Sequence, residues 1–258
     1  MNYERIRVDS STPVARVTLA WPEKRNALSI QMMEELTHAL TDIGDRREIG
    51  AIIVDAEGKA FSAGHFLKEM VDKDITHQRR VFDTCVTMMN TLQAIRQPVI
   101  AQVQGVATAA GCQLVATCDL AIAATGASFA TPGVKIGLFC TTPMVALSRA
   151  VGRKRAMEML LTGRPIDTAT AESWGLINRA VEPEQLESET MELATRIADS
   201  SDYVVALGKQ AFYAQIDMAQ DKAYDYAKEV MSMNSMAVDA QEGMSAFLEK
   251  RQPCWVGK

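Results

Sequence analysis

The sequence predicts an α/β core followed by a C-terminal helical region. Residues 51–55 and 98–103 are short apolar runs typical of buried parallel strands, and amphipathic helical patterns alternate with them. From about residue 142 helical patterns follow one another without a strand, and no linker rich in Pro, Gly or Ser precedes them. We expect an α/β core over residues 1–195 and a helical oligomerisation region over residues 196–258.

The individual elements follow from periodicity and capping signals. Alternating polarity predicts a hairpin of strands at residues 3–8 and 14–19. Ser29 is a suitable N-cap, and the apolar residues after it fall at helical spacing, namely Met32, Met33, Leu36, Leu40 and Ile43. The other predicted elements are a strand at 118–124 and helices at 78–96, 109–117, 142–161, 168–174, 184–199, 203–216, 221–235 and 238–250.

The composition is that of an ordinary soluble globular protein. A chain of 258 residues with 48% apolar and 23% charged residues can form one large domain. The net charge of −5 argues against a nucleic-acid partner. The apolar stretches at 98–124 and 134–151 are interrupted by Pro, Gln, Asp, Lys or Gly, so they predict core elements rather than membrane spans.

The cysteines and the N-terminus bear on the cellular compartment. Five cysteines at irregular spacing predict free thiols, without a disulfide framework or a zinc site. The N-terminal residues show neither an apolar signal core nor a long Arg/Ser-rich transit segment. We therefore expect a cytoplasmic protein without a metal site.

Five sequence blocks, in order, resemble the enoyl-CoA hydratase/isomerase (crotonase) superfamily. They are 22–29 (PEKRNALS), 58–65 (GKAFSAGH), 105–119 (GVATAAGCQLVATCD), a run through Ser128, Phe129, Thr131, Pro132 and Gly137, and 241–251 (QEGMSAFLEKR). One such block is weak evidence, whereas five in the family's order are strong. The run at 137–143 (GLFCTTP) is most similar to the group called enoyl-CoA hydratase domain-containing proteins.

The resemblance implies a spiral of ββα units with a C-terminal helical region, assembled as trimers or dimers of trimers. It also implies an acyl-CoA ligand, with coenzyme A as part of the substrate and no tightly bound cofactor. The chemistry shared by the family is stabilisation of a thioester enolate by two backbone N–H groups. By matching motifs, the donors here are Ala63 and Ala110. Ala110 falls in the first turn of a short predicted helix, where N–H groups lack intrahelical acceptors, although small residues there also permit tight packing.

The two catalytic glutamates of a family hydratase correspond to Gln113 and Gly133 in this sequence. An amide cannot act as a general base near neutral pH, and glycine has no side chain. Standard hydration is therefore not expected. Gln113 could instead bind a water or a substrate carbonyl, or its amide could be satisfied by neighbouring backbone.

Other side chains could replace the missing acids. His65 is suited to proton transfer near neutral pH, or it could brace the following helix. Glu69, four residues on, could orient His65 or be a solvated charge. Cys140 is expected to be a buried structural cysteine rather than a nucleophile.

The resemblance also implies a set of residues that contact coenzyme A, of which each basic residue could equally be an ordinary solvated surface charge. Along the chain they are Lys24 and Arg25 near the phosphates, Ser62, Ala63 and His65 along the adenine and pantetheine path, and Phe247 and Lys250 at the site of a neighbouring subunit.

Three functions are compatible with these residues. The first is an enzyme of the hydratase/isomerase class with non-standard acid–base groups. The second is an acyl-CoA decarboxylase, because departing CO₂ leaves an enolate without any protein base. The third is a non-catalytic regulatory protein that binds CoA thioesters. The fold alone does not decide among them, since one fold hosts many chemistries.

Overall fold

Two β-sheets and ten α-helices make up residues 2–258, the part of the chain that the computed structural model describes. The strands are β1 (Ile6–Asp9), β2 (Val14–Leu19), β3 (Ala51–Ala56), β4 (Ala60–Ser62), β5 (Val99–Val103), β6 (Val106–Thr108), β7 (Leu120–Ala124), β8 (Ser128–Ala130), β9 (Ile166–Asp167) and β10 (Arg179–Val181). The helices are α1 (Ile30–Gly44), α2 (Ile75–Ala94), α3 (Ala110–Thr117), α4 (Pro143–Val151), α5 (Arg153–Thr162), α6 (Thr168–Trp174), α7 (Leu186–Ala198), α8 (Asp202–Gln215), α9 (Gln220–Ser235) and α10 (Val238–Glu249).

The strands follow a ββα repeat. The larger sheet has the order β1-β2-β3-β5-β7-β10, and the smaller has the order β4-β6-β8-β9. In β3-β4-α2, β5-β6-α3 and β7-β8-α4, the first strand joins the larger sheet and the second joins the smaller. All pairings are parallel except β1–β2 and β8–β9. This spiral of repeats confirms the predicted fold class.

The core forms where the apolar runs and stripes meet. All five residues of β5 are buried, as expected for a parallel strand covered on both faces. Helix α1 begins as predicted, because the Ser29 hydroxyl accepts a hydrogen bond from the Met32 N–H. The apolar stripe of α1, including Leu36 and Leu40, is buried in the main core. The hairpin and α1 thus match their predicted positions within a few residues.

Several elements differ from the prediction. Strands do not stop near residue 142, because β9 pairs with β8 and β10 extends the larger sheet beside β7. These strands have two and three residues, too few for an alternating pattern to be visible. The helix predicted over 142–161 is two helices, separated at Gly152, whose φ is 80°. Helix α2 begins at Ile75, earlier than predicted, because the Asp74 carboxylate caps it.

The C-terminal helices are attached to the core by a buried lysine. The Lys209 ammonium on α8 donates to the carbonyls of Leu92 and Gln97 and forms an ion pair with Asp119 at 2.8 Å. The Tyr213 hydroxyl donates to the same carboxylate at 2.8 Å. Helix α7 packs on the larger sheet and continues past the predicted boundary at residue 195. The division into a core and an oligomerisation region stays a prediction.

Residues 2–258 contain neither a membrane-spanning helix nor a candidate metal-binding cluster. No helix there has both the length and the apolar character needed to cross a bilayer. Nor does that part of the chain contain a cluster of three or more His, Cys, Asp or Glu side chains placed to hold a metal ion.

Candidate functional site

Two backbone turns approach each other closely where β4 and β6 end. Gly64 follows β4 with a φ of 82°, a conformation that favours glycine. A Cβ atom at Gly64 would lie 2.8 Å from the Thr108 carbonyl oxygen and 3.0 Å from the Ala110 nitrogen. No larger residue fits there, so the absent side chain lets the first turn reach the start of α3.

The N–H of Ala63 is not available to a ligand. It donates to the carbonyl of Arg25 at 2.9 Å. Arg25 lies in a turn with a φ of 52°, which the side-chain amide of the buried Asn26 fixes by donating to the carbonyls of Glu57 and Ala60. The prediction that Ala63 supplies a free donor is therefore wrong, because a turn distant in sequence already accepts its hydrogen bond.

Two other N–H groups in these turns have no acceptor within residues 2–258, those of His65 and Ala110. Leu28 and His65 form an isolated parallel β-bridge. Its two hydrogen bonds run from the Leu28 N–H to the Gly64 carbonyl and from the Phe66 N–H to the Leu28 carbonyl, so the His65 N–H takes part in neither. Ala110 is the first residue of α3, where an N–H has no intrahelical acceptor. The available pair of donors is thus His65 and Ala110.

A cavity of about 490 Å³ opens at these two residues. Most of its wall is apolar and is formed by side chains that include Leu67, Phe82, Ile136, Leu138, Phe139 and Pro143. Its polar side chains are His65, Thr108, Lys135, Thr141 and Thr142. Within the described part of the chain no carboxylate lines it, so any acid–base chemistry here would depend on groups other than Asp or Glu.

The imidazole of His65 is held neutral in the cavity wall. Burial lowers the pKa of His65 to about 4. Its ring meets Phe82 edge-on at 5.4 Å, and its Nε2 has no hydrogen-bond partner among residues 2–258. Glu69 does not orient it, because a carboxylate oxygen of Glu69 accepts from the Ile30 N–H at 3.0 Å instead. His65 does not cap the turn at Leu67, where no side chain caps, but its contact with Phe82 on α2 is compatible with the alternative that it braces the following helix.

Gln113 lies one helical turn beyond Ala110 and is 5% exposed. Its backbone N–H donates to the Ala109 carbonyl, but its side-chain Oε1 is buried without a partner in the part of the chain that is described. The neighbouring backbone therefore does not satisfy this oxygen. Gln113 is not among the residues that line the cavity.

Gly133 lies where the segment after β8 folds back on itself. The Leu138 N–H donates to the Gly133 carbonyl at 3.0 Å. A Cβ atom at Gly133 would lie 1.9 Å from the Leu138 carbonyl oxygen and 2.8 Å from the Cys140 sulfur. The space that a side chain at 133 would need is thus filled. Burial raises the pKa of Cys140, as expected for a structural cysteine rather than a nucleophile.

A groove of about 570 Å³ adjoins the cavity and shares Ala63 and Thr108 with it. Two cationic residues, Arg25 and Lys59, lie along this groove. Lys24 is exposed but does not line it. Ser62 is fully buried, and its hydroxyl donates to the Asn26 carbonyl at 2.8 Å, so the prediction that Ser62 borders the ligand path is wrong.

Comparisons with known proteins point to one family. A family model described as enoyl-CoA hydratase/isomerase matches residues 9–258. The chain is 46% identical over 243 residues to a human protein named enoyl-CoA hydratase domain-containing protein 3, mitochondrial, covering 94% of this chain and 81% of that protein. The crystal structure of the human domain-containing protein 3 superposes with a TM-score of 0.96 at 44% identity, covering 98% of this chain and all of that one.

The chain belongs to the enoyl-CoA hydratase/isomerase family. A probable enoyl-CoA hydratase of Mycobacterium bovis is 37% identical over 257 residues, covering 98% of both chains. An enoyl-CoA hydratase structure from Mycobacterium smegmatis has a TM-score of 0.95 at 44% identity, covering 98% of this chain and 99% of that one. The family assignment made from the five blocks is confirmed, and it supports an enzyme of the lyase or isomerase type.

The expectation of a cytoplasmic protein is wrong. Family members from zebrafish, mouse and human that are 46–49% identical to this chain are named mitochondrial proteins. All five cysteines are unpaired within residues 2–258, as predicted. Free thiols indicate reducing conditions, however, and more than one compartment is reducing.

Phe247 lies on α10, and Lys250 is the residue at the C-terminal end of that helix. Phe247 is 83% exposed, and neither residue lines the cavity or the groove of its own chain. Their proposed contact with a ligand in a neighbouring subunit stays a prediction. Other exposed apolar side chains lie on α9 and α10, including Met231, Met233 and Leu248, and Met236 lies between the two helices.

Sequence reasoning missed three features of this site. The donor after Gly64 is the N–H of His65 rather than that of Ala63. Lys59 lies on the groove and Lys135 on the cavity. The His65 donor could have been predicted from Gly64, because a glycine in a left-handed turn ends the regular hydrogen bonding of the strand before it. The two lysines carried no local signal that separates them from other surface lysines.

Proposed function

We propose that this family member binds an acyl-CoA thioester and stabilises its enolate with the N–H groups of His65 and Ala110. The observation that carries the proposal is that these two donors, unlike Ala63, lack protein acceptors within residues 2–258 and lie on one cavity wall. Preorganised N–H groups in a largely apolar site stabilise an oxyanion strongly. The α3 N-terminus adds a favourable dipole at Ala110.

The groove next to the cavity suits the rest of the ligand. It meets the cavity at Ala63 and Thr108, so one extended molecule can occupy both. Arg25 and Lys59 can pair with phosphates, and the cavity can take an acyl chain. No tightly bound cofactor is needed for this chemistry. Assembly as a trimer or a dimer of trimers remains part of the proposal, with the exposed apolar faces of α9 and α10 as its support.

The vibrational frequency of the thioester carbonyl tests the donor pair without requiring turnover. Butyryl-CoA labelled with ¹³C at the carbonyl should show a lowered C=O stretch when bound, because both N–H groups polarise it. Replacing the Ala110 amide N–H by an ester oxygen removes this donor and keeps the Cβ, whereas a proline would force the preceding Ala109 out of its φ of 52° and ψ of −119°. Ala110→Gly keeps the N–H and is the matched control. Equal carbonyl shifts in both variants would show that Ala110 is not a donor.

A second candidate, decarboxylation of a carboxyacyl-CoA, is favoured by the absence of carboxylates from the cavity lining of residues 2–258 and by the neutral His65. In this reaction the bond between the α-carbon and the carboxylate breaks, its electron pair delocalises onto the thioester oxygen, and CO₂ leaves. Water then supplies a proton to the α-carbon. The oxyanion donors alone would support the step. Release of CO₂ from methylmalonyl-CoA or ethylmalonyl-CoA tests it.

A further inference from the structure

We propose that Lys135 selects thioesters whose acyl group carries a second carboxylate. Lys135 supplies the single cationic side chain in the cavity wall within residues 2–258. The inference rests on the proposed acyl-CoA function and names the substrate class for the same cavity. Lys135 would bind the carboxylate at the end of the acyl group, whereas the N–H groups of His65 and Ala110 would bind the thioester oxygen.

The ammonium of Lys135 has no protein counter-ion. Within residues 2–258 no carboxylate lies in salt-bridge range of it. Of the surrounding cavity side chains, His65 is neutral and most others are apolar. A carboxylate would enter such a cavity at high cost unless a cation met it there. Lys135 is an exposed residue of this wall and the one cation on it, within residues 2–258, that can meet a carboxylate.

The stem of Lys135 is supported by a glycine. A Cβ atom at Gly163, just after α5, would lie 3.1 Å from Cε and 3.4 Å from Cγ of Lys135. The aliphatic stem therefore runs over a backbone that carries no side chain. Gly163 has a φ of 57°, which favours glycine in its own right. Gly163 does not itself line the cavity, so this contact positions the stem of Lys135 and leaves its ammonium free.

Lys135 is separate from the cations of the adjoining groove. Arg25 and Lys59 line the groove and not the cavity, whereas Lys135 lines the cavity and not the groove. The phosphates of coenzyme A and a carboxylate on the acyl group would thus meet different cations. This separation makes the role of Lys135 testable against that of a phosphate contact.

The experiment compares succinyl-CoA with butyryl-CoA, which share a four-carbon acyl group, by isothermal titration calorimetry on the intact protein. Wild type should bind succinyl-CoA about twofold to fivefold more tightly, because Lys135 is exposed and an ion pair at an exposed lysine is weak. Lys135→Met should reduce this ratio to about one, and Lys135→Glu should invert it. Lys154→Met, at an exposed lysine on α5, is the matched control and should keep the wild-type ratio.

The outcomes separate the two proposals. If free CoA and butyryl-CoA bind but wild type shows no preference for the carboxylate, the role of Lys135 is overturned and the acyl-CoA function stands. If none of the thioesters binds, the acyl-CoA function itself fails. If Lys135→Met weakens free CoA as much as succinyl-CoA, Lys135 is a phosphate contact and the inference is wrong.

Discussion

The carbonyl oxygen of Leu138 lies 1.9 Å from the point that a Cβ atom would occupy at Gly133. The two residues are also joined by a hydrogen bond from the Leu138 N–H to the Gly133 carbonyl. Position 133 corresponds, by the family resemblance, to the second glutamate of a hydratase. In this chain the returning backbone fills the space that such a side chain would need to leave the main chain.

This contact predicts that Gly133→Ala is destabilising. A methyl group would force the backbone near Leu138 to move, at a cost of about 1–3 kcal/mol, as for other overpacked sites. Gly208→Ala on α8 is the matched control, because its added Cβ meets nothing within 4 Å. That control should be neutral or slightly stabilising. Denaturant unfolding of both variants measures the difference, and a Gly133→Ala protein as stable as wild type would show that the segment adapts freely.

Hydration of crotonyl-CoA should be very slow. By the family resemblance, positions 113 and 133 are those of the two hydratase glutamates. Each such acid–base group that is missing costs on the order of 10²–10⁴-fold in rate, although the two losses need not multiply. Gln113→Glu alone should restore little, since Gln113 does not line the cavity and position 133 is closed to a side chain. The loss of absorbance of the enoyl thioester measures the rate. A wild-type rate close to that of a two-glutamate family hydratase, assayed in parallel, would contradict the proposed role of position 113.

The protein should be more stable with glycine in place of Ala109. Its φ of 52° and ψ of −119° lie in a region that glycine adopts without strain and alanine does not. Ala109→Gly is expected to raise the free energy of unfolding by about 1 kcal/mol. Ala116→Gly, within α3, should lower it by about the same amount and serves as the opposite control. Thermal and denaturant unfolding report both changes, and a loss of stability in Ala109→Gly would disprove the strain.

The buried His65 should make the free energy of unfolding decrease at acidic pH. Burial lowers the pKa of His65 from its ordinary 6.5 to about 4. Between these values the unfolded chain binds a proton that the folded chain does not, so the free energy of unfolding falls as the pH drops from about 6.5 to about 4. This loss of stability amounts to about 1–3 kcal/mol once the pH has fallen to about 4, and there is no such loss above pH 6.5.

His65→Leu removes this titration and keeps the backbone N–H. The variant should lose less stability than wild type between pH 7 and pH 4.5, with the other titrating groups common to both proteins. Urea unfolding at the two pH values gives the comparison. Identical pH dependence in the two proteins would mean that His65 is protonated as readily in the folded chain as in the unfolded one.

The general architecture followed from local patterns. Apolar runs identified β3 and β5, and the spacing after Ser29 identified α1, because buried strands and amphipathic helices have characteristic sequence periods. The short strands β9 and β10 were missed because two or three residues cannot show a period. The family was equally accessible, since five blocks in order carry information that no single block does.

The sequence by itself determined the fold class, the family and the residues at positions 113 and 133. Only the tertiary structure decided which N–H groups are free. The Ala63 N–H donates to the carbonyl of Arg25, a residue far away in the chain. The N–H without an acceptor in this turn is therefore that of His65. The tertiary structure likewise decided that Leu138 closes the space beside Gly133. Hydrogen-bond partners and filled space depend on segments that meet only after folding, and a local pattern does not encode them.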